Sequence, residues 1–191
     1  MADIACVRVV WDREQFWPLP IIRHTDGHMN HAIKFSPVHF GPETGYPAGR
    51  KGAAIAGAWK QLGTTAAGML ILDADVAIDP MMVITMMRAI GDDPESVWTA
   101  PVRIWPVSTM KDSWVWAHWE TEPSQRIDDV ANWFSFNFTY VPRALVEHCL
   151  KGNQLQSWTY PRVDASMARA ARQMGIKGRV VQDCFPIHLH W

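Results

Sequence analysis

Residues 68–80 read GMLILDADVAIDP, and this stretch decides the fold. Four apolar residues, Met69, Leu70, Ile71 and Leu72, predict a buried strand. They run into two aspartates one residue apart, Asp73 and Asp75. In an open α/β sheet, ligands gather beyond the carboxyl ends of the strands. The aspartates stand at such an end. Side chains alternate along an extended chain, so Asp73 and Asp75 point the same way. Two carboxylates crowded on one side repel unless a cation joins them. Hard oxygens of this kind suit Mg²⁺ or Mn²⁺, completed by phosphate oxygens of a ligand. The pattern therefore predicts a metal-dependent site for a phosphorylated substrate. Aspartates after a strand also form turns and cap helices. Asp79 reads that way, as an N-cap ahead of Pro80 in the first helical position.

Upstream, residues 50–62, RKGAAIAGAWKQL, predict a helix with Ile55, Trp59 and Leu62 on its apolar face. The small residues Gly52, Ala53, Ala56 and Gly57 allow close packing, and Gly63 is a C-terminal stop. Residues 4–10, IACVRVV, read as a first strand and residues 19–23 as a second. The second ends in a polar turn, His24-Thr25-Asp26-Gly27-His28. Residues 35–49, rich in Pro and Gly, read as loop.

Downstream, residues 80–90 predict a helix that buries Met82, Met86 and Ile90 and stops at Gly91. Residues 96–102 read as a strand. Residues 103–133 show no assignable element. Residues 134–141, FSFNFTYV, alternate and read as a strand. A short helix follows over 142–150. Residues 164–174, DASMARAARQM, form an amphipathic helix with Asp164 at its N-terminus, Met167, Ala171 and Met174 inward, and Gly175 as stop. Residues 179–184 read as a strand, and the chain closes on His188-Leu189-His190-Trp191. This alternation predicts an α/β sandwich with a mostly parallel central sheet.

The chain has 191 residues, the size of one domain. A formal net charge of −1 excludes a global electrostatic pull toward nucleic acid or anionic membrane. Cys6, Cys149 and Cys184 are odd in number and far apart. They suit neither a disulfide framework nor a zinc site, and they fit a reducing compartment. The start, MADIACVRVVWD, lacks a basic segment ahead of a long apolar core, so no signal peptide is expected. No apolar run reaches the length of a membrane span. The expectation is a soluble, cytoplasmic protein with no membrane partner. Of eleven tryptophans, six lie between Trp98 and Trp133, so one segment concentrates the indole rings.

Lys51-Gly52-Ala53-Ala54, the helix it opens, and LILDADVAIDP together resemble the nucleotide-binding half of GT-A fold glycosyltransferases. The likeness is to the family 2 type, whose pattern is a K-G-A-x-N helix, a strand and D-x-D. Residues 136–143, FNFTYVPR, look like the strand after the acceptor region of that fold. Asp164 resembles the position of the family's E-D motif, with Val163 in place of the glutamate. His188-Leu189-His190 resembles the late histidine that joins the metal. The resemblance covers residues 48–191. It implies a single GT-A-like α/β/α domain over 1–191, with a nucleotide-sugar-binding half near 1–95 and an acceptor-binding half near 96–191.

The resemblance also implies roles. Asp75 binds the metal directly; Asp73 reaches it through water or holds the ribose or donor sugar. His188 and His190 alternate to one face of an extended tail, so either supplies a third ligand, His190 by preference. Arg50 and Lys51 reach the diphosphate. Thr25 or Asp26 accepts from the base or ribose. Asp164 is the general base of an inverting transfer; an N-cap is the alternative for it. Trp105, Trp114, Trp116 and Trp133 stack on the acceptor, although several of the tryptophans must be core. The implied activity is transfer of a sugar from a nucleotide-sugar donor, such as a UDP-sugar, with Mn²⁺ or Mg²⁺. The acceptor is a modified base in DNA, a protein or a small glycoside. Arg162, Arg169, Arg172, Lys177 and Arg179 make the late chain locally basic, which suits a phosphate-bearing acceptor.

Two other classes share parts of this pattern. A phosphatase of the haloacid dehalogenase type also places D-x-D after a strand. A binding module with the fold but no catalysis would take nucleotide and metal without needing Asp164.

Overall fold

A computed structural model of the chain describes residues 3–11, 22–23, 32–33, 35–40, 51–62, 65–73, 76–105, 114–115, 136–152 and 163–189. Among these the chain forms β1 (Ile4–Trp11), β2 (Ile22–Arg23), β3 (Ala32–Ile33), β4 (Ser36–Phe40), α1 (Lys51–Leu62), β5 (Gly68–Asp73), β6 (Val76–Ala77) and α2 (Pro80–Asp92). Then follow β7 (Val97–Thr99), β8 (Val102–Trp105), β9 (Trp114–Val115), β10 (Phe138–Pro142), α3 (Arg143–Lys151), α4 (Val163–Gln173), β11 (Gly178–Val180) and β12 (Ile187–Leu189).

The main sheet has six strands in the order β11-β7-β10-β5-β1-β4. β1 is parallel to both β4 and β5, and β11 is parallel to β7. β10 is antiparallel to both of its neighbours, β5 and β7. Five strands therefore share one direction, and the D-x-D strand lies inside the sheet. The fold is mixed α/β with a mostly parallel sheet, as the alternation of elements predicts. A second sheet runs β6-β12-β8-β9, and β2 pairs with β3.

Apolar side chains pack on both faces of the main sheet. One face joins Val7, Val9, Met69 and Ile71 to Ile55 and Trp59 of α1, Leu145 of α3 and Met167 of α4. The other joins Leu70, Leu72, Phe138 and Tyr140 to Val83, Met86 and Ile90 of α2. β5 is buried on both faces, which is why it reads as an unbroken apolar run. Met69, Leu70, Ile71 and Leu72 are each 0% exposed. Burial of one such side chain is worth about 1.5–3 kcal/mol. That outweighs a single helix cap, worth about 1 kcal/mol, so burial of the strand rather than local capping fixes the position of Asp73.

Local signals act where the sequence places them. Asp79 caps α2, its side chain accepting from the Met82 N–H at 2.9 Å, with Pro80 in the first turn. Gly175 ends α4 at φ 71°, a conformation that favours glycine. Its N–H donates to Arg172 O, and the Ile176 N–H to Ala171 O.

Several expectations need correction. Residues 36–40 are strand, not loop. Pro37 reads as a breaker, yet β4 is an edge strand, where proline is tolerated. The expected strand over 96–102 is two strands in two sheets, with Ala100-Pro101 between them. α2 runs through Gly91 to Asp92, and its buried positions are Val83, Met86, Met87 and Ile90. Leu62, at 40% exposed, and Met174, at 37%, do not face inward. The stop expected at Gly63 lies outside the described residues.

Candidate functional site

Asp73 is the last residue of β5 and is half-buried. It stands in register with Val9 of β1. Its backbone N–H donates to Asn137 O at 3.2 Å, in the turn just before β10. Strand neighbours on both sides thus hold its backbone. Asp73 continues the alternation of Met69 and Ile71, so it belongs to the face covered by α1, α3 and α4.

Two helices on that face start at the same end of the sheet. The Arg143 guanidinium lies 5.4 Å from the ring of Trp59, in the last third of α1. Arg143 also donates to Ala66 O at 2.7 Å, beside the amino end of β5. The close of α1 is therefore at the amino end. Lys51, its first residue, lies about 12 Å along the axis from Trp59, toward Asp73. α4 is oriented likewise. Lys177, just beyond it, accepts through its backbone carbonyl from the Val97 N–H at the amino end of β7. Asp164, in the first turn of α4, thus lies toward the carboxyl end of the sheet. It is half-buried and is the second residue of the helix. A carboxylate there is favoured by the helix dipole.

The second sheet gathers other residues singled out by the sequence. His188 of β12 is the register partner of Val76 of β6, the residue after Asp75. Its partner on the other side is Ile104 of β8. Leu189 pairs with Trp105, and Arg103 pairs with Trp114 of β9. His188 and Trp105 stand in adjacent rows, and adjacent rows of a sheet belong to opposite faces. The backbone register thus separates the histidine row from the rows of Trp105 and Trp114.

Thr25, Asp26, Arg50, Asp75, Trp116, Trp133 and His190 lie outside the described residues. Among the described residues, no group of three or more His, Cys, Asp or Glu is placed to hold a metal ion. Asp75 and His190 are not among those residues.

The late basic cluster is partly committed elsewhere. Arg179 Nε donates to Asp93 Oδ2 at 3.0 Å, and Arg179 lies 5.6 Å from the Trp98 ring. Ser96 Oγ donates to the same carboxylate at 2.7 Å. These contacts hold the Asp93 carboxyl below its ordinary pKa, the Ser96 bond first and the Arg179 charge after it. Arg169, Arg172 and Lys177 are exposed. Cys6, Cys149 and Cys184 are free and buried, in keeping with the absence of a disulfide framework.

Two residues near the site escaped the sequence reading. Asn137 lies inside an aromatic run and reads as part of it, yet its carbonyl meets Asp73. Arg8 is 2% exposed and pairs in register with Leu72. A lone cation inside IACVRVV was its signal.

No family model matches the chain, and no curated protein matches it significantly. Among solved structures it is similar to the crystal structure of A197 from STIV, at 12% identity and a TM-score of 0.51. That match covers 98% of this chain and 81% of the other. At such identity the likeness is one of fold.

Proposed function

We propose that the chain is a metal-dependent glycosyltransferase of GT-A type that moves a sugar from a nucleotide-sugar donor to an acceptor hydroxyl. The observation that carries this reading is the pairing of β12 with β6. The strand bearing His188 runs beside the segment that leaves the D-x-D. A mostly parallel sheet with Lys51, Asp73 and Asp164 toward one end supports it.

Asp73, Asp75 and one of His188 and His190 are the residues that would hold Mn²⁺ or Mg²⁺. Carboxylate oxygens with one imidazole nitrogen are a donor set these cations accept. When bound, the cation neutralises charge on the leaving diphosphate. Arg50 and Lys51 attract that diphosphate, and Thr25 or Asp26 meets the base or ribose. The Asp164 carboxylate takes the acceptor hydroxyl's proton. The acceptor oxygen then bonds to the anomeric carbon as the bond to the diphosphate breaks, with inversion. Trp105, Trp114, Trp116 and Trp133 offer ring faces to the acceptor. A modified base in DNA leads as acceptor, with a protein or small glycoside as the alternatives.

The test is thermal denaturation with nucleoside diphosphates and nucleotide sugars, with and without Mn²⁺. A ligand that binds only the native state must raise the melting temperature. One nucleotide should stabilise only with metal, and Asp75→Ala should abolish the shift. No shift with any nucleotide would sink the reading and direct the search to phosphatase substrates.

A further inference from the structure

The second sheet has two unlike faces. Val76 of β6 is 0% exposed and belongs to the buried cluster of Leu72 and Val83. Its row across the sheet continues through His188 and Ile104. The next row, Ala77, Ile187, Arg103 and Trp114, belongs to the opposite face. Two residues along the strands, the row of Leu189 and Trp105 returns to that same face. Ile187 is 38% exposed, although β12 lies between β6 and β8. An apolar residue on an inner strand is ordinarily covered by a second layer; here it is open. The register thus puts Arg103, Trp105 and Trp114 on the face that is open at Ile187.

Trp105 and Trp114 are diagonal neighbours on adjacent strands, a separation of about 7–8 Å. Arg103 is the direct partner of Trp114 and stands two residues from Trp105. Aromatic residues on neighbouring strands of an open sheet face, with a cation beside them, suit unpaired bases and their phosphates. Bases in a duplex stack on one another and offer no free ring. A glycan also stacks on indole, but its hydroxyls need acceptors. The side chains of Ala, Ile, Leu, Trp and Arg supply none.

We propose that the face of the second sheet bearing Ile187, Arg103, Trp105 and Trp114 binds single-stranded nucleic acid, with a base stacked on each tryptophan and Arg103 on a phosphate between them. The row of His188 belongs to the other face, so this binding needs neither metal nor nucleotide sugar. It goes beyond the transfer reading above and does not depend on it.

The test is fluorescence anisotropy of a labelled oligothymidylate, with chelator present and no donor. Single strand should bind at least about tenfold more tightly than a blunt duplex. Trp105→Ala and Trp114→Ala should each weaken binding by at least about tenfold. Arg103→Met should weaken it and reduce the log–log salt slope by about 0.7, one phosphate of a single strand. Ile187→Glu sets a carboxylate on the same face and should weaken binding by at least about tenfold. Ile187 is exposed, so the melting temperature should stay at the parent's, and this variant decides the matter even if a tryptophan variant fails to fold. Leu62→Glu, at an apolar residue just as exposed at the end of α1, should bind as the parent does. Oligouridylate run alongside tells RNA from DNA, which share this stacking chemistry. Equal affinity for duplex and single strand, or full affinity in Ile187→Glu, overturns the proposal. So does binding of cellohexaose, lost in the tryptophan variants, by a protein that takes no oligonucleotide; the face would then belong to a glycan. A protein that binds the strand yet shows no thermal shift with any nucleotide keeps this surface and loses the glycosyltransferase reading.

Discussion

His188 and Val76 are register partners across the antiparallel pair of β12 and β6. Val76 immediately follows Asp75, so the last described strand lies against the segment leaving the D-x-D. If that pairing serves metal binding, His188→Ala or His190→Ala should weaken Mn²⁺ affinity about tenfold, or about 1.4 kcal/mol. The melting temperature of the metal-free protein should stay nearly unchanged. Calorimetric titration measures the affinity. Unchanged affinity in both variants removes the histidines from the site.

Asp164 lies in the first turn of α4, where its charge also complements the helix dipole. That contribution is worth about 0.3–1 kcal/mol. A general base is worth roughly 10²- to 10⁴-fold in rate. Asp164→Asn should therefore cut turnover by at least about a hundredfold with only a small loss of stability. Donor affinity should persist, because the base acts on the acceptor. Full turnover with a lowered melting temperature would assign Asp164 to the helix alone.

The D-x-D strand was legible because its burial on both faces writes an unbroken apolar run, and Asp79-Pro80 then marks a helix start. β4 was not legible, because an edge strand tolerates Pro37 and Pro otherwise signals loop. The break at Ala100-Pro101 was hidden for a related reason. Local pattern shows that a chain is extended, not that it leaves one sheet for another. The second sheet rests on pairings such as His188 with Ile104 and Arg103 with Trp114, which join segments far apart in sequence. The placement of Asp73, Lys51 and Asp164 toward one end follows from the direction of α1 and α4. That direction is set by tertiary anchors such as Arg143 on Trp59. Arg8 was visible as a charge in a strand, but its burial was not.

Gly68 lies against the ring of Tyr140. A Cβ added at Gly68 would come within 2.5 Å of Tyr140 Cε2, Cζ and Oη. Tyr140 is 0% exposed, and its hydroxyl donates to Pro94 O at 3.0 Å. The ring has little room to yield. Gly68→Ala should cost about 1–3 kcal/mol through overpacking, read as a lower urea midpoint. Tyr140→Phe keeps the ring and should cost about 1 kcal/mol for the lost hydrogen bond. A Gly68→Ala protein as stable as the parent would show that β10 shifts freely on β5.

Burial pushes the thiols of Cys6, Cys149 and Cys184 up to about 12 from 9.0, with the Asp79 charge adding to the effect at Cys184. Burial, and then the Glu95 charge, pushes Tyr140 up to about 12 from 10.0. Each folded value lies above the unfolded one, so the folded state holds these protons more tightly. Their contribution to stability is whole below the unfolded pKa and is lost as pH rises toward the folded value. The melting temperature should therefore fall progressively from about pH 9 upward. Native protein at neutral pH should resist iodoacetamide, and unfolded protein should take up three labels per chain, one for each cysteine. Mass spectrometry counts them. Rapid native labelling of any of the three would contradict its burial.

Arg179 separates a structural role from an acceptor role within the late basic cluster. Its bond to Asp93 and its place over Trp98 tie the edge strand β11 to β7. The pair is partly exposed, which limits its worth, so Arg179→Ala should cost about 1–2 kcal/mol. Asp93 has a lowered pKa, so its contribution is present above the unfolded value and lost as pH falls through the folded one. The penalty of Arg179→Ala should therefore shrink in strong acid. If the acceptor is DNA, the exposed Arg169 and Lys177 are better placed than Arg179 to meet phosphate. Each phosphate contact steepens the salt dependence of binding by about 0.9 in log–log slope. Arg179→Ala should leave that slope unchanged, whereas Arg169→Ala or Lys177→Ala should flatten it. A slope flattened by Arg179→Ala at unchanged stability would return this arginine to the acceptor surface.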